Sequence, residues 1–78
     1  MKDGLHKDTS GWRRYLDGRA IHCGDGLELR VGDSWIPVRY EARLGRIKPT
    51  EYLYFASGWV AFSDRLIASR SIRWGEKP

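Results

Sequence analysis

The side chains that could carry chemistry in this 78-residue chain begin with the adjacent pair His22 and Cys23. A structural zinc site takes four ligands, but His6 is the only other histidine and there is no second cysteine. Neighbouring strand residues point to opposite faces, so His22 and Cys23 do not share a ligand sphere. A thiol nucleophile needs a base such as His6 beside it. We predict no metal site, and we expect Cys23 to be small and buried and His22 to hydrogen-bond locally.

The carboxylates form no acid–base pair. Asp17, Asp25 and Asp33 lie at turn signals, where aspartate caps backbone N–H groups. Glu28 and Glu41 alternate with arginines on predicted strands, which is typical of cross-strand ion pairs. No glycine-rich segment precedes a helix, as a phosphate-binding loop requires. We therefore predict no catalytic residue and no cofactor, and we expect the chain not to be an enzyme.

Aromatic and basic side chains are the remaining candidates. The chain has four Trp, four Tyr and a net charge of +4. Ten of its 14 basic residues are arginine, which contacts phosphates and carboxylates in a planar, bidentate manner and stacks on rings. Rings interleaved with guanidinium groups are typical of a single-strand nucleic-acid platform and equally of a protein-interaction hot spot. The predicted binding residues are Arg30, Trp35, Arg39, Arg43, Arg46, Lys48, Tyr52, Tyr54 and Trp59.

Short strands must position these side chains. Three turn dipeptides, Asp17-Gly18, Gly32-Asp33 and Ser57-Gly58, each join two β-type runs and predict hairpins. Ser63 or Asp64 could cap a short helical turn, and residues 70–74 form a predicted last strand.

The middle hairpin has the clearest register. A two-residue turn at Gly32-Asp33 places Leu29 opposite Ile36 and turns both inward. The same register places Arg30 opposite Trp35 on the other face. Pro37 lacks an N–H and suggests a strand edge near that point. The predicted core is Leu27, Leu29, Ile36, Val38, Tyr40, Leu53, Phe55, Val60 and Phe62.

This pattern predicts an all-β fold, a small SH3-like or Tudor-like barrel of five to six strands with a short helical turn near the C-terminus; an OB-like barrel is the alternative. Residues 1–10 are expected to be a flexible lead-in, 11–75 the single barrel domain and 76–78 a tail. One cysteine excludes an internal disulfide, and no run approaches the roughly 18 apolar residues of a membrane span. We expect a cytoplasmic protein with no membrane partner.

Two segments also resemble a known family. Residues 16–29 contain Asp-Gly-Arg-x-hydrophobic-His-Cys-Gly, and residues 35–41 contain Trp-hydrophobic-Pro-hydrophobic-Arg followed by tyrosine and glutamate. This pattern is similar to domain-of-unknown-function family 5348, a family of short bacterial proteins whose members often occur on plasmids, phages and integrated elements. The resemblance implies a small β-domain and a mobile-element setting. It carries over no catalytic residues.

The functional hypothesis is a non-enzymatic binding module, an accessory or inhibitor protein that acts on nucleic acid or a nucleoprotein complex. The alternative is a protein–protein or homo-oligomeric module without nucleic acid. An enzyme that completes a pore only as an oligomer, as plasmid-borne barrel reductases do, would need their motif, which this chain lacks.

Overall fold

A computed structural model describes residues 3–8, 11–43 and 50–75. These residues form strands and one short helix, so the predicted all-β class is confirmed. In chain order the elements are β1 (Gly4–Asp8), β2 (Gly11–Leu16), β3 (Arg19–Ile21), β4 (Gly26–Val31), β5 (Ser34–Arg43), β6 (Thr50–Phe55), β7 (Gly58–Ala61), α1 (Asp64–Ala68) and β8 (Ile72–Trp74).

The strands form two antiparallel sheets. One has the order β1-β2-β3 and the other β7-β6-β5-β4-β8. Within the described ranges no strand pairing joins the two sheets and no barrel closes, so the SH3-like or Tudor-like barrel is corrected to two sheets. Strand β4 is paired on both sides, with β5 and β8, and in the described ranges the end strands of the two sheets do not pair with each other.

The N-terminal segment corrects a second expectation. Residues 1–10 were expected to be a flexible lead-in, but Gly4–Asp8 is strand β1 and pairs with β2 from Tyr15 to Gly11. The His6 and Tyr15 rings contact each other edge-on at 5.5 Å. The polar composition of this segment hid a strand that only pairing with β2 reveals. Strand β1 therefore extends the paired strands to Gly4, ahead of the predicted domain start at residue 11. The single domain itself stays a prediction, and the predicted tail at 76–78 lies outside the described residues.

The register of the middle hairpin is confirmed. Leu29 lies opposite Ile36, and Arg30 lies opposite Trp35. Pro37 lies opposite Glu28 of β4, whereas β6 pairs with β5 only from Arg39 onward. The side of β5 that faces β6 is therefore an edge at Pro37, as the missing N–H indicates.

The other two hairpins give one confirmation and one correction. Leu16 lies opposite Arg19, so Asp17 and Gly18 form the turn, both with positive φ (54° and 72°). The last turn is Ala56-Ser57 and not Ser57-Gly58, because Gly58 already pairs with Phe55. The loop still has two residues, so the residues of β6 and β7 keep the faces that the sequence predicts.

The core lies between the two sheets. Six of the nine predicted core residues are buried, and Ile36, Phe55 and Val60 are half-buried against them. The prediction missed Leu16 and Ile21 of the first sheet and Ile72 of β8. The buried hydrophobic residues are Leu16, Ile21, Leu27, Leu29, Val38, Tyr40, Leu53, Phe62 and Ile72.

Candidate functional site

The outer side of the five-stranded sheet collects aromatic and arginine side chains in rows. Trp59 of β7 lies opposite Tyr54 of β6, and Tyr54 lies opposite Arg39 of β5. Neighbouring positions on these strands, such as Leu53 and Tyr40, are buried in the core. Side chains alternate along a strand, so this row of two rings and one guanidinium points away from the core.

A second row lies further along β5. Arg30 and Trp35 are opposite each other, and Trp35 is four residues from Arg39, about 13 Å along the strand. Seven predicted residues share this side, which we call the outer face: Arg30, Trp35, Arg39, Arg43, Tyr52, Tyr54 and Trp59. The other two, Arg46 and Lys48, lie outside the described residues.

Three rings form a cluster at the β7 edge of the outer face. Tyr52 and Trp59 meet edge-to-face, with centroids 5.2 Å apart and planes at 89°. Tyr52 and Tyr54 are 6.0 Å apart and tilted by 46°. Such contacts hold aromatic side chains in defined orientations. Trp59 remains 58% exposed, so its indole is open to a partner while Tyr52 supports it.

Arg73 belongs to the outer face, although the sequence analysis did not select it. Its guanidinium lies 4.0 Å above the Trp35 ring, and its Nε donates to Glu28 Oε1 at 2.6 Å. Arg73 lies opposite Glu28, so the predicted cross-strand pair of Glu28 is confirmed. The signal was available, because Arg73 alternates with Ile72 and Trp74 in the predicted last strand and so lies on the opposite side from both.

The outer face carries more positive than negative charge. Glu28 is paired with Arg73, and Glu41 contacts Arg39 at 3.0 Å. The latter pair lies along β5 and not across two strands, which corrects the prediction for Glu41. Arg30 and Arg43 have no carboxylate partner among the described residues. The two carboxylates therefore leave a net positive surface around the rings.

The His22–Cys23 pair lies apart from this face. His22 bonds locally as expected, its backbone N–H donating to Asp25 Oδ2 at 2.8 Å. Cys23 is exposed, which corrects the expectation of a buried thiol, because the chain turns outward there before Gly24. Within the described ranges no group of three or more His, Cys, Asp or Glu side chains is placed to hold a metal ion.

A buried ionic cluster joins the two sheets, and sequence reasoning missed it. Arg14 of β2 donates to Glu51 of β6 and to Asp64 at the start of α1. Burial alone would lower the pKa of Arg14, but the hydrogen bonds and charge of Glu51 raise it overall, together with the charge of Asp64. Arg14 lies two residues before the buried Leu16 and therefore on the same side of β2, and this spacing was the signal available in the sequence.

Asp64 has a different role from the one proposed for it as a cap. Ser63 stands at the N-cap of α1, with no side-chain capping hydrogen bond, while the Asp64 carboxylate contacts Arg14. This ion pair therefore attaches the start of α1 to strand β2 of the three-stranded sheet.

Fold and site together define a small all-β protein of two antiparallel sheets with an aromatic, basic outer face. The chain belongs to a described family: residues 5–65 match the model of the Domain of unknown function (DUF5348). This range includes both segments that carried the resemblance. Comparison with curated proteins and with solved structures gave no match. No helix in the described part of the chain is long and apolar enough to cross a membrane.

Proposed function

We propose that this protein is a non-enzymatic module that binds nucleic acid, alone or within a nucleoprotein complex, through the outer face. The row of Trp59, Tyr54 and Arg39 across three adjacent strands carries the proposal. Exposed rings provide stacking surfaces for bases, and arginines beside them provide contacts to phosphate. The strands hold both kinds of group in register, so little side-chain order has to be gained on binding.

Charge supports the same proposal. Arg30 and Arg43 flank the aromatic row without a carboxylate partner among the described residues, so both can meet phosphates directly. The ion pair of Arg39 with Glu41 is exposed, with 64% and 35% of the side chains accessible. Exposed pairs contribute about 0–1 kcal/mol, so a phosphate can compete for Arg39 at small cost.

A fluorescence titration with single- and double-stranded oligonucleotides over a salt series tests the proposal. Arg39→Ala should reduce the slope of log affinity against log salt by about 1. Trp59→Ala should weaken binding by about 1–3 kcal/mol with the slope unchanged. Matched controls are Arg65→Ala on α1 and Trp12→Ala on β2, which are exposed away from the outer face and should bind like wild type. Absence of binding to both strand forms at low salt would overturn the proposal.

A protein partner is the second candidate, because the most exposed ring of the site lies on an edge strand. β7 is the end strand of its sheet, and an edge strand can pair with another chain. In that case Trp59→Ala would abolish complex formation while salt would have little effect. Sedimentation of the protein alone over a concentration series separates a second copy of this chain from a different protein.

The biological setting follows as part of the proposal. An accessory or inhibitor protein of a mobile element, working in the cytoplasm, is the role that the family resemblance and the basic outer face favour together. A pull-down from the native host, analysed for both nucleic acid and protein, tests it. Recovery of nucleic acid that depends on Arg39 and Trp59 would support this role, and recovery of protein alone would favour the second candidate.

A further inference from the structure

A groove opens on the outer face where β5 extends beyond β6. The pairing of these strands ends at Arg39 opposite Tyr54, and β6 ends one residue later, at Phe55, before the Ala56-Ser57 turn. The gap is a shallow depression, open to solvent, with a volume of about 360 Å³. Its lining residues are Pro37, Val38, Arg39, Tyr54, Phe55 and Ala56.

The backbone of β5 gives this groove a hydrogen-bond acceptor. The Tyr40 N–H donates to the Asp25 carbonyl at 3.0 Å, and the Tyr40 carbonyl accepts from the Gly24 N–H at 2.8 Å. Tyr40 therefore directs its backbone groups toward the β4 side. Backbone groups of antiparallel strands alternate in direction, so Pro37 directs its groups to the opposite, open side. Proline has no N–H, and the Pro37 carbonyl oxygen alone faces the groove.

The groove thus combines four kinds of contact between β5 and the end of β6. The half-buried Tyr54 ring forms one wall, the carbonyl of Pro37 offers an acceptor, and the guanidinium of Arg39 lies at the rim. Val38 and Phe55 have the opposite strand parity and supply an apolar floor. An aromatic wall, an apolar floor and a basic rim match a nucleobase joined to its phosphate.

We propose that one unpaired base of a single-stranded nucleic acid binds in this groove, an inference that rests on the proposed function. The base stacks on Tyr54, one of its N–H groups donates to the Pro37 carbonyl, and the adjoining phosphate contacts Arg39. A duplex cannot make these contacts, because its bases are stacked and their Watson–Crick edges are occupied. The protein therefore selects single strands over duplex.

Competition binding with three probes of one sequence tests the inference: a single strand of about 12 nucleotides, its duplex, and the same single strand carrying abasic sites. Wild type should bind the intact single strand at least about tenfold more tightly than the other two probes. Tyr54→Ala should reduce single-strand affinity by about 5- to 100-fold, far more than it reduces duplex affinity. Tyr54→Phe keeps the ring and should retain wild-type binding, which separates the role of the ring from that of the hydroxyl.

The outcomes distinguish this inference from the function on which it rests. Equal affinity for single strand and duplex, still sensitive to Arg39→Ala, would overturn the base groove and leave nucleic-acid binding standing. Equal affinity for intact and abasic strands would overturn the groove in the same way. Failure to bind any of the three probes would overturn the proposed function itself.

Discussion

Arg14 Nε donates to Glu51 Oε2 at 2.8 Å and so links strand β2 of one sheet to strand β6 of the other. Both residues are buried, at 3% and 6% exposure. The Tyr40 hydroxyl donates to the same Glu51 oxygen at 2.6 Å, and the Arg14 guanidinium lies 4.7 Å above the Phe62 ring. The two sheets of this small protein therefore meet around a buried, fully hydrogen-bonded charge cluster.

Removing the charge of Glu51 should destabilise the fold strongly. Glu51→Gln keeps the shape but leaves the buried Arg14 without its main counter-charge, and breaking a buried pair costs about 3–5 kcal/mol. Glu41→Gln is the matched control, because the Glu41–Arg39 pair is exposed and should contribute at most about 1 kcal/mol. Urea unfolding of the two variants measures the difference, and equal losses would contradict the role of the cluster.

The hydroxyl of Tyr40 should make the free energy of unfolding fall as the pH rises into the alkaline range. Burial raises the pKa of Tyr40 above its ordinary value of 10.0, and the hydrogen bond to Glu51 and the charge of Glu51 raise it further. Below about pH 10 the phenol is protonated in both the folded and the unfolded protein, and its contribution to the free energy of unfolding is complete. Above about pH 10 the phenol of the unfolded protein ionises first, and the free energy of unfolding falls.

Urea unfolding between about pH 9 and pH 11 measures this dependence, and Tyr40→Phe should flatten it. Val60→Ala serves as the control, because it lowers stability without removing a titratable group. An unchanged pH slope in Tyr40→Phe would show that this phenol is not the source.

Gly4 should be required for docking of the N-terminal strand. It is buried with φ of 112°, and a Cβ there would lie 3.0 Å from Asp64 Oδ1. Gly4→Ala should therefore cost about 1–3 kcal/mol through backbone strain. Gly26→Ala is the control, since a Cβ at Gly26 would meet no atom within 4 Å. Thermal unfolding compares them, and a wild-type melting temperature for Gly4→Ala would argue against the docked β1.

Cys23 should react with thiol reagents in the folded protein. Its side chain is exposed, and among the described residues its Sγ makes only a weak hydrogen bond, to the Ala42 carbonyl at 3.7 Å. Cys23→Ser should change the free energy of unfolding by no more than about 0.5 kcal/mol. Labelling rates with and without urea check the exposure, and strong protection in the native state would contradict it.

The apolar face of β4 should be sensitive to truncation where it is buried and insensitive at its exposed end. Leu27→Ala removes a side chain that is 1% exposed and should cost about 2–5 kcal/mol. Val31→Ala, on the same strand but 54% exposed, should change stability by about 0.5 kcal/mol or less. Chemical unfolding measures both, and comparable losses would contradict the difference in burial between the two ends of β4.

Local patterns predicted the hairpins and much of the outer face. Two-residue turns and strict alternation set the pairing of Leu29 with Ile36 and of Arg30 with Trp35, because a slip of one residue would expose the apolar set. The same parity placed Tyr54 and Trp59 together. Alternation failed for β2, where Arg14 occupies an inward position, so Leu16 and Ile21 were missing from the predicted core.

The sequence by itself determined the all-β class, the strand parity and the arginine–aromatic composition of the outer face, since these depend on contacts between residues near in the chain. Only the tertiary structure decided that β8 pairs with β4 and that β1 pairs with β2. It also decided that Arg14 contacts Glu51, 37 positions away in the sequence. Burial of that arginine is favourable only when a distant carboxylate compensates its charge. No local pattern encodes such a partner, because it exists only after the two sheets have packed together.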